Sequence, residues 1–395
     1  MSSEIDSVSD SSTLVYDHEP FETFQARALK LCETALGAAS GKTSIERMQG
    51  GGDAGERPAL EQYILRIPRL EVSQLGRDLA PLQLLRQRSQ IPIPEVIAFD
   101  TTTQNVSESP YMIQKRIPGV PLFPTYPNMP QQMKRVIAEE LGKAYSELHS
   151  VRSVTAGRLT LSPSRDSLLV QPFDDTRTDA IVPYEDGPAA EATIDMLSSI
   201  LTHKKELAGA EGPNRSWMIE FLDHFKTAAS EMSALGVLDR SDYCLCHLDL
   251  EPRNILAQAP SSTQPQTVIG ILDWDSAIFA PALLSCSPPM WLWAWNEEAD
   301  EDERLAGDIP STPELRELKE LFEEAAGPTY RRFPYGAQYR LARQLFRFTI
   351  DGLHTNEDLM ATELLLKEWG DVQKSLKLAN DTTAEPQIAC SVTNQ

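Results

Sequence analysis

Cys244-Leu245-Cys246-His247-Leu248-Asp249-Leu250-Glu251-Pro252-Arg253-Asn254-Ile255-Leu256 sets a polar H-x-D-L-x-x-x-N core between two apolar runs. A short turn later, Val268-Ile269-Gly270-Ile271-Leu272-Asp273-Trp274-Asp275 reads as an apolar strand that ends in carboxylates. Such a strand delivers its acids to a sheet edge, where a metal ion can reach them. Asp273 and Asp275 stand two apart, so on an extended backbone they share one face while Trp274 takes the other. Phosphoryl transfer uses this combination. One carboxylate positions an acceptor hydroxyl, and an Asn with a second Asp holds Mg²⁺ against nucleotide phosphates. Taken singly, Asp249, Pro252 and Asn254 are ordinary turn formers. The spacing of the whole set is what points to chemistry.

Upstream of this core the pattern is that of a small sheet with one internal helix. Phe21 to Ala38 has helical spacing, through Phe24, Ala28, Leu31 and Ala35. Gly50-Gly51-Gly52-Asp53 breaks the chain, and Tyr63–Ile67 reads as a strand stopped by Pro68. A helix is expected from about Ser73 to Arg88, then strands at 91–99 and 111–115. From Pro130 helical spacing takes over. One long helix should end near His149, and others should cover 190–208, 216–235, 312–325 and 337–371. Residues 151–190, rich in Pro, Ser, Asp and Thr, read as loops, and Tyr243 to Leu272 as a β-like island. The expected fold class is α+β: flexible tails at 1–20 and 376–395, a sheet-containing N-terminal lobe at 21–115, and a larger, mainly helical lobe at 116–375.

His247-Leu248-Asp249 through Asn254, with Ile271-Leu272-Asp273-Trp274-Asp275, resembles the aminoglycoside phosphotransferase family, most of all its fungal members. That family has the protein-kinase-like bilobal fold, and the likeness extends over about residues 40–355. It implies an ATP- and Mg²⁺-dependent enzyme, with Asp249 as catalytic base and Asn254 and Asp273 as metal ligands. His247 and Asp275 would support them. Tyr63-Ile64-Leu65-Arg66 is similar to the family's phosphate-binding strand, so Arg66 would face the phosphates and Asp78 would be its helix partner. Tyr111-Met112-Ile113-Gln114 and Ile117-Pro118-Gly119 resemble its hinge, which places the adenine near Ile113 and Gln114. Gly51 and Gly52 would cover the phosphates with backbone amides. Two positions depart from the usual kinase pattern. Arg66 stands where Lys is customary and Asp78 where Glu is, so the longer cation compensates for the shorter acid. A protein kinase is disfavoured, because Trp274-Asp275 follows Asp273 where Phe-Gly would stand.

Composition narrows the partners. The 395 residues carry 36 basic and 58 acidic side chains, a formal charge of -22. Nucleic acid and anionic membrane surfaces both attract clustered Lys and Arg, so neither is expected as a partner. A small-molecule hydroxyl acceptor is expected, with a cationic one favoured by the charge. Six acids fall between Glu297 and Glu303. They read either as a solvated loop or as a contributor to such an acceptor site. Five scattered cysteines without a CxxC spacing suggest buried free thiols and a cytoplasmic protein. Gly37-Ala38-Ala39-Ser40-Gly41-Lys42-Thr43 has three residues between its glycines, where a Walker A loop needs four. The competing class is a noncatalytic kinase-like module that binds nucleotide or a partner without turnover.

Overall fold

The computed structural model describes residues 21–37, 43–46, 62–68, 74–173, 181–210, 216–238, 242–258, 268–296 and 302–383. They fall into two compact units. One takes in the described residues up to Glu140 together with Leu159–Leu169 and Asp249–Ala277, and the other takes in the rest.

The first unit opens with α1 (Phe21–Leu36), β1 (Tyr63–Arg66), α2 (Gln74–Arg88), β2 (Val96–Asp100) and β3 (Tyr111–Lys115). The three strands form an antiparallel sheet in the order β1-β3-β2. Leu65 stands opposite Ile113, and Ile64 opposite Gln114. α2 buries Leu75, Leu79, Leu82 and Leu85, the apolar stripe that its helical spacing predicts. Beyond β3 the chain forms β4 (Gly119–Pro121), which joins β10 (Ile255–Gln258) and β11 (Val268–Ile271) in a second antiparallel sheet. Two glycines make this junction possible. A Cβ on Gly119 would stand 2.9 Å from the Ala257 carbonyl oxygen, and one on Gly270 would stand 2.5 Å from Ile117 Cδ1. The segment after β3 therefore lies flush against the strand that follows the H-x-D-L-x-x-x-N segment and the strand that precedes Asp-Trp-Asp.

The second unit is mainly helical. α4 (Thr193–Ala210) and α5 (Ser216–Ala234) precede β9 (Tyr243–Cys246), and α6 (Pro313–Arg332), α7 (Ala337–Asp351) and α8 (Asn356–Thr383) follow it; α3 (Gln131–Ser150) enters the unit with its last turns. Tyr145, Phe322 and Tyr330 meet edge to face at its centre, with ring centroids 5.0 to 5.7 Å apart. Buried Arg340 and Arg343 are neutralised by Glu368 and Glu303. β5 (Arg152–Ser153), β9, β12 (Ile278–Pro281) and β6 (Gly157–Leu161) pair antiparallel in that order.

Three expectations change. The stretch 151–190 is not simply loop: β5, β6, β7 (Leu168–Gln171) and β8 (Val182–Pro183) lie in it. These strands run two to five residues, too short for an alternating pattern to stand out among Pro and Ser. The helix expected at 337–371 is two helices. Gly352 ends α7 in the left-handed region at φ 89°, and Thr355 and Asp358 then cap α8 reciprocally. α8 also continues to Thr383, into the segment expected to be a tail.

Candidate active site

The H-x-D-L-x-x-x-N segment leaves β9 and turns sharply before β10. Leu248 adopts φ 65°, and Pro252 opens a single helical turn over Pro252–Asn254, where its fixed φ suits the first position. This turn folds Asn254 back onto Asp249. Asn254 Nδ2 donates to Asp249 Oδ2 at 2.8 Å and to the Asp249 carbonyl at 3.1 Å. With its amide nitrogen so held, the Asn254 Oδ1 faces the other way. The second carboxylate oxygen of Asp249 is met by Arg253 at 2.6 Å. Sequence reasoning missed Arg253. The signal was its four-residue offset from Asp249, a spacing that implies contact in a helix and carries no such weight in a loop.

The Asp-Trp-Asp residues are locked to this turn. Leu272 N–H donates to the Asn254 carbonyl at 2.8 Å, and Ile271 N–H to the Pro92 carbonyl at 2.7 Å. The extended backbone expected through Asp275 does not occur. β11 ends at Ile271, Asp273 is left-handed at φ 64°, and Trp274–Ser276 form a helical turn. The cause is Trp274: its indole is buried, and its Nε1 donates to the Ile271 carbonyl at 2.9 Å, which pulls the chain round. Asp is among the few side chains that tolerate this conformation. The two carboxylates still act on each other, since Asp275 helps to raise the Asp273 carboxyl.

α2 packs on the same turn and brings Asp78 to it. Arg66 and Asp78 form an ion pair at 3.8 Å, with Asp78 7% exposed and Arg66 35%. Asp78 Oδ1 is buried without a hydrogen bond. Burial raises the Asp78 carboxyl from its ordinary 3.8 to about 6; Arg66 opposes the rise, and Asp275 and Asp273 add to it. Asp273 is also raised, first by burial, then by Asp275. So Asp78, Asp273 and Asp275 place a concentrated negative charge beside Arg66.

This crowding has a measurable consequence. Asp78 keeps its proton to higher pH when folded than when unfolded, so its contribution to stability is greatest below about pH 3.8 and is lost as pH rises through about 6. Asp78→Asn is expected to raise the free energy of urea unfolding at pH 7.5 by about 1–3 kcal/mol and to leave it nearly unchanged at pH 3.5. An equal gain at both pH values would show that charge is not the cause.

Ile113 and Gln114 are buried in β3, the central strand, and are paired on both sides. Lys115 and Arg116 still donate backbone hydrogen bonds, to Glu95 and Gln62. Backbone clear of the three-stranded sheet begins at Ile117. His247 is buried at the end of β9. Gly51 and Gly52 lie outside the described residues, as do Glu297, Glu298, Asp300 and Glu301. Two members of that acidic segment are already neutralised, Asp302 by Arg304 at 2.7 Å and Glu303 by Arg343.

Among the described residues no three His, Cys, Asp or Glu side chains converge as a metal cage. The residues that would hold a cation here are fewer, Asp273 through its carboxylate and Asn254 through its amide oxygen. That suits Mg²⁺, which takes oxygen ligands and completes its shell from substrate phosphates and water. The mutual repulsion of the carboxylates is what a bound cation would relieve.

Residues 52–321, well over half of the chain, match the model of the phosphotransferase enzyme family, APH. The chain belongs to that family. The α+β class expected from the sequence, a small sheet-containing part and a larger helical part, is that of this APH-family protein. No curated protein matches the chain. Among solved structures, the streptomycin–ATP complex of APH(2'')-IIa is 14% identical, with a TM-score of 0.43 over 78% of this chain and 85% of that one. ADP-bound APH(2'')-Ib gives 14% and 0.43 over 80% and 88%. APH(4)-Ia gives 14% and 0.42 over 89% and 98%. Of the described helices in this APH-family chain, none is long and apolar enough to cross a membrane.

Proposed function

We propose that the protein transfers the γ-phosphoryl group of ATP, with Mg²⁺, to a hydroxyl of a small molecule. The observation that carries this is the 2.8 Å bond from Asn254 Nδ2 to Asp249 Oδ2. It fixes a proton acceptor and a metal-binding amide in one turn, and aims the amide oxygen away from the base. Asp249 orients the acceptor hydroxyl and takes its proton. Its oxygens, though held by Arg253 and Asn254, keep lone pairs for that bond. Asn254 and Asp273 would hold the cation, and Asp275 lies near enough to raise the Asp273 carboxyl. Bound Mg²⁺ would offset the charge of the phosphates. Arg66, positioned by Asp78, would contact those phosphates, and Ile113, Gln114 and the backbone from Ile117 onward would hold the adenine. Positioning and charge stabilisation supply most of the acceleration, and the base supplies less.

The acceptor we infer is cationic, in keeping with a net charge of -22. That attraction weakens with salt over a Debye length of about 8 Å. Buried free thiols at Cys32, Cys244, Cys246 and Cys286 fit a reducing compartment such as the cytoplasm.

The test is ATP consumption with Mg²⁺ against amino sugars, choline-like alcohols and neutral sugars, at low and high salt. Turnover with at least one hydroxyl compound is expected. Nucleotide binding with no turnover across the panel would leave a noncatalytic binding module instead. Within an active enzyme, Arg66→Ala should raise the KM for ATP about tenfold or more, the scale of one charge-assisted contact. Asp78→Ala should have a smaller effect of the same kind. Because the two side chains are paired at 3.8 Å, the second change should add little to the first. Fully additive effects would show that the residues act separately.

A further inference from the structure

The turn between β6 and β7 lies in the first unit, and it is tied to that unit at two points. Gly76, near the start of α2, is one. A Cβ there would stand 3.2 Å from Thr160 Oγ1 of β6. A glycine inside a helix is unfavourable by about 1 kcal/mol relative to alanine, so its presence answers a need for close approach. The second tie is the ion pair from Arg165 to Asp100, the last residue of β2, at 2.7 Å. Asp100 is held in turn by Thr102 and Asn105. The turn is also rigid in itself. Ser162 and Ser164 both donate to Asp166, and Ser162 N–H donates to the Ser167 carbonyl. Arg165 takes φ 64° to reach Asp100, a left-handed conformation that a side chain this size adopts only under constraint.

The contacts have a direction. Asp78 lies two residues after Gly76, about 200° further around the helix. Thr160 therefore meets α2 on the side away from Asp78, which faces Arg66. We propose that the β6–β7 turn is a brace that holds α2 in place, with Arg165 and Thr160 as positioning residues for the Arg66–Asp78 pair and thus for ATP. The functional half of this rests on the proposed ATP chemistry; the mechanical half does not.

Hydrogen exchange of the full-length protein separates the two. In Arg165→Ala, the amides of Gln74–Arg88 should lose protection. The KM for ATP should rise roughly three- to tenfold, with a smaller change in kcat. Arg165→Lys, which keeps the charge, should recover part of both. Gly76→Val, which pushes on Thr160 from the other side, should raise the same KM, and Thr160→Ala added to it should lower it again. Unchanged protection of α2 in Arg165→Ala would overturn the brace whatever the kinetics show. Lost protection with an unchanged KM in an active enzyme would overturn the positioning role. If the wild-type protein neither binds nor consumes ATP, the proposed function fails, and α2 protection alone then decides the brace.

Discussion

Asp273→Ala is expected to abolish detectable turnover, a loss of at least about 10³-fold in kcat, in a protein that remains folded. Asp273 is the only carboxylate among the proposed Mg²⁺ ligands, and without it the phosphate charge goes unbalanced in the step where charge stabilisation matters most. The defect should therefore appear in kcat more than in the KM for ATP. One complication is built into the site. Asp273 sits at φ 64°, where alanine costs about 1 kcal/mol or more. Asp273→Asn tolerates that conformation and keeps the shape while removing the charge, so it isolates the metal role from the backbone effect. Circular dichroism and thermal melting establish folding for both variants. Near-normal activity in either folded variant would refute the metal assignment.

Asp249→Asn should keep ATP binding and lower kcat by about 10²–10⁴, the range for a positioned proton acceptor. Calorimetry with ATP and Mg²⁺ should show affinity close to wild type, because Asn254 and Asp273 are untouched. Arg253 loses its ionic partner in this variant, but it is largely exposed, so the cost to stability should be small. If ATP binding disappears together with activity, base and metal ligands are not separate, and the division of labour proposed for this turn is wrong.

The sequence was most informative where local pattern and final geometry coincide. Tyr63–Arg66 and Tyr111–Lys115 are short apolar strands with clear stops, and they pair as such. The resemblance to the family's phosphate-binding strand and its helix partner suggested the Arg66–Asp78 pair, and the two side chains do form an ion pair. Asp273 and Asp275 came together for a different reason than alternation supplies. The determining contact is Trp274 Nε1 to the Ile271 carbonyl, a tertiary burial that periodicity does not encode. The β6–β7 turn was hidden for a similar reason. Its residues look like loop because they are loop in composition, and their order comes from Asp100 and Gly76, more than sixty residues earlier. Arg253 went unnoticed because its contact with Asp249 exists only once Pro252–Asn254 coil.

The four buried cysteines among the described residues offer something practical. Cys32 lies on α1 in the first unit, while Cys244, Cys246 and Cys286 lie in the second. Burial raises the thiol pKa of Cys32, Cys246 and Cys286, which suppresses the thiolate and hence alkylation of the native protein. Each becomes reactive only when its own surroundings open. Timed iodoacetamide labelling read by peptide mass spectrometry would therefore follow the opening of each unit separately, with no introduced probe, by comparing the labelling rate of Cys32 with that of the other three.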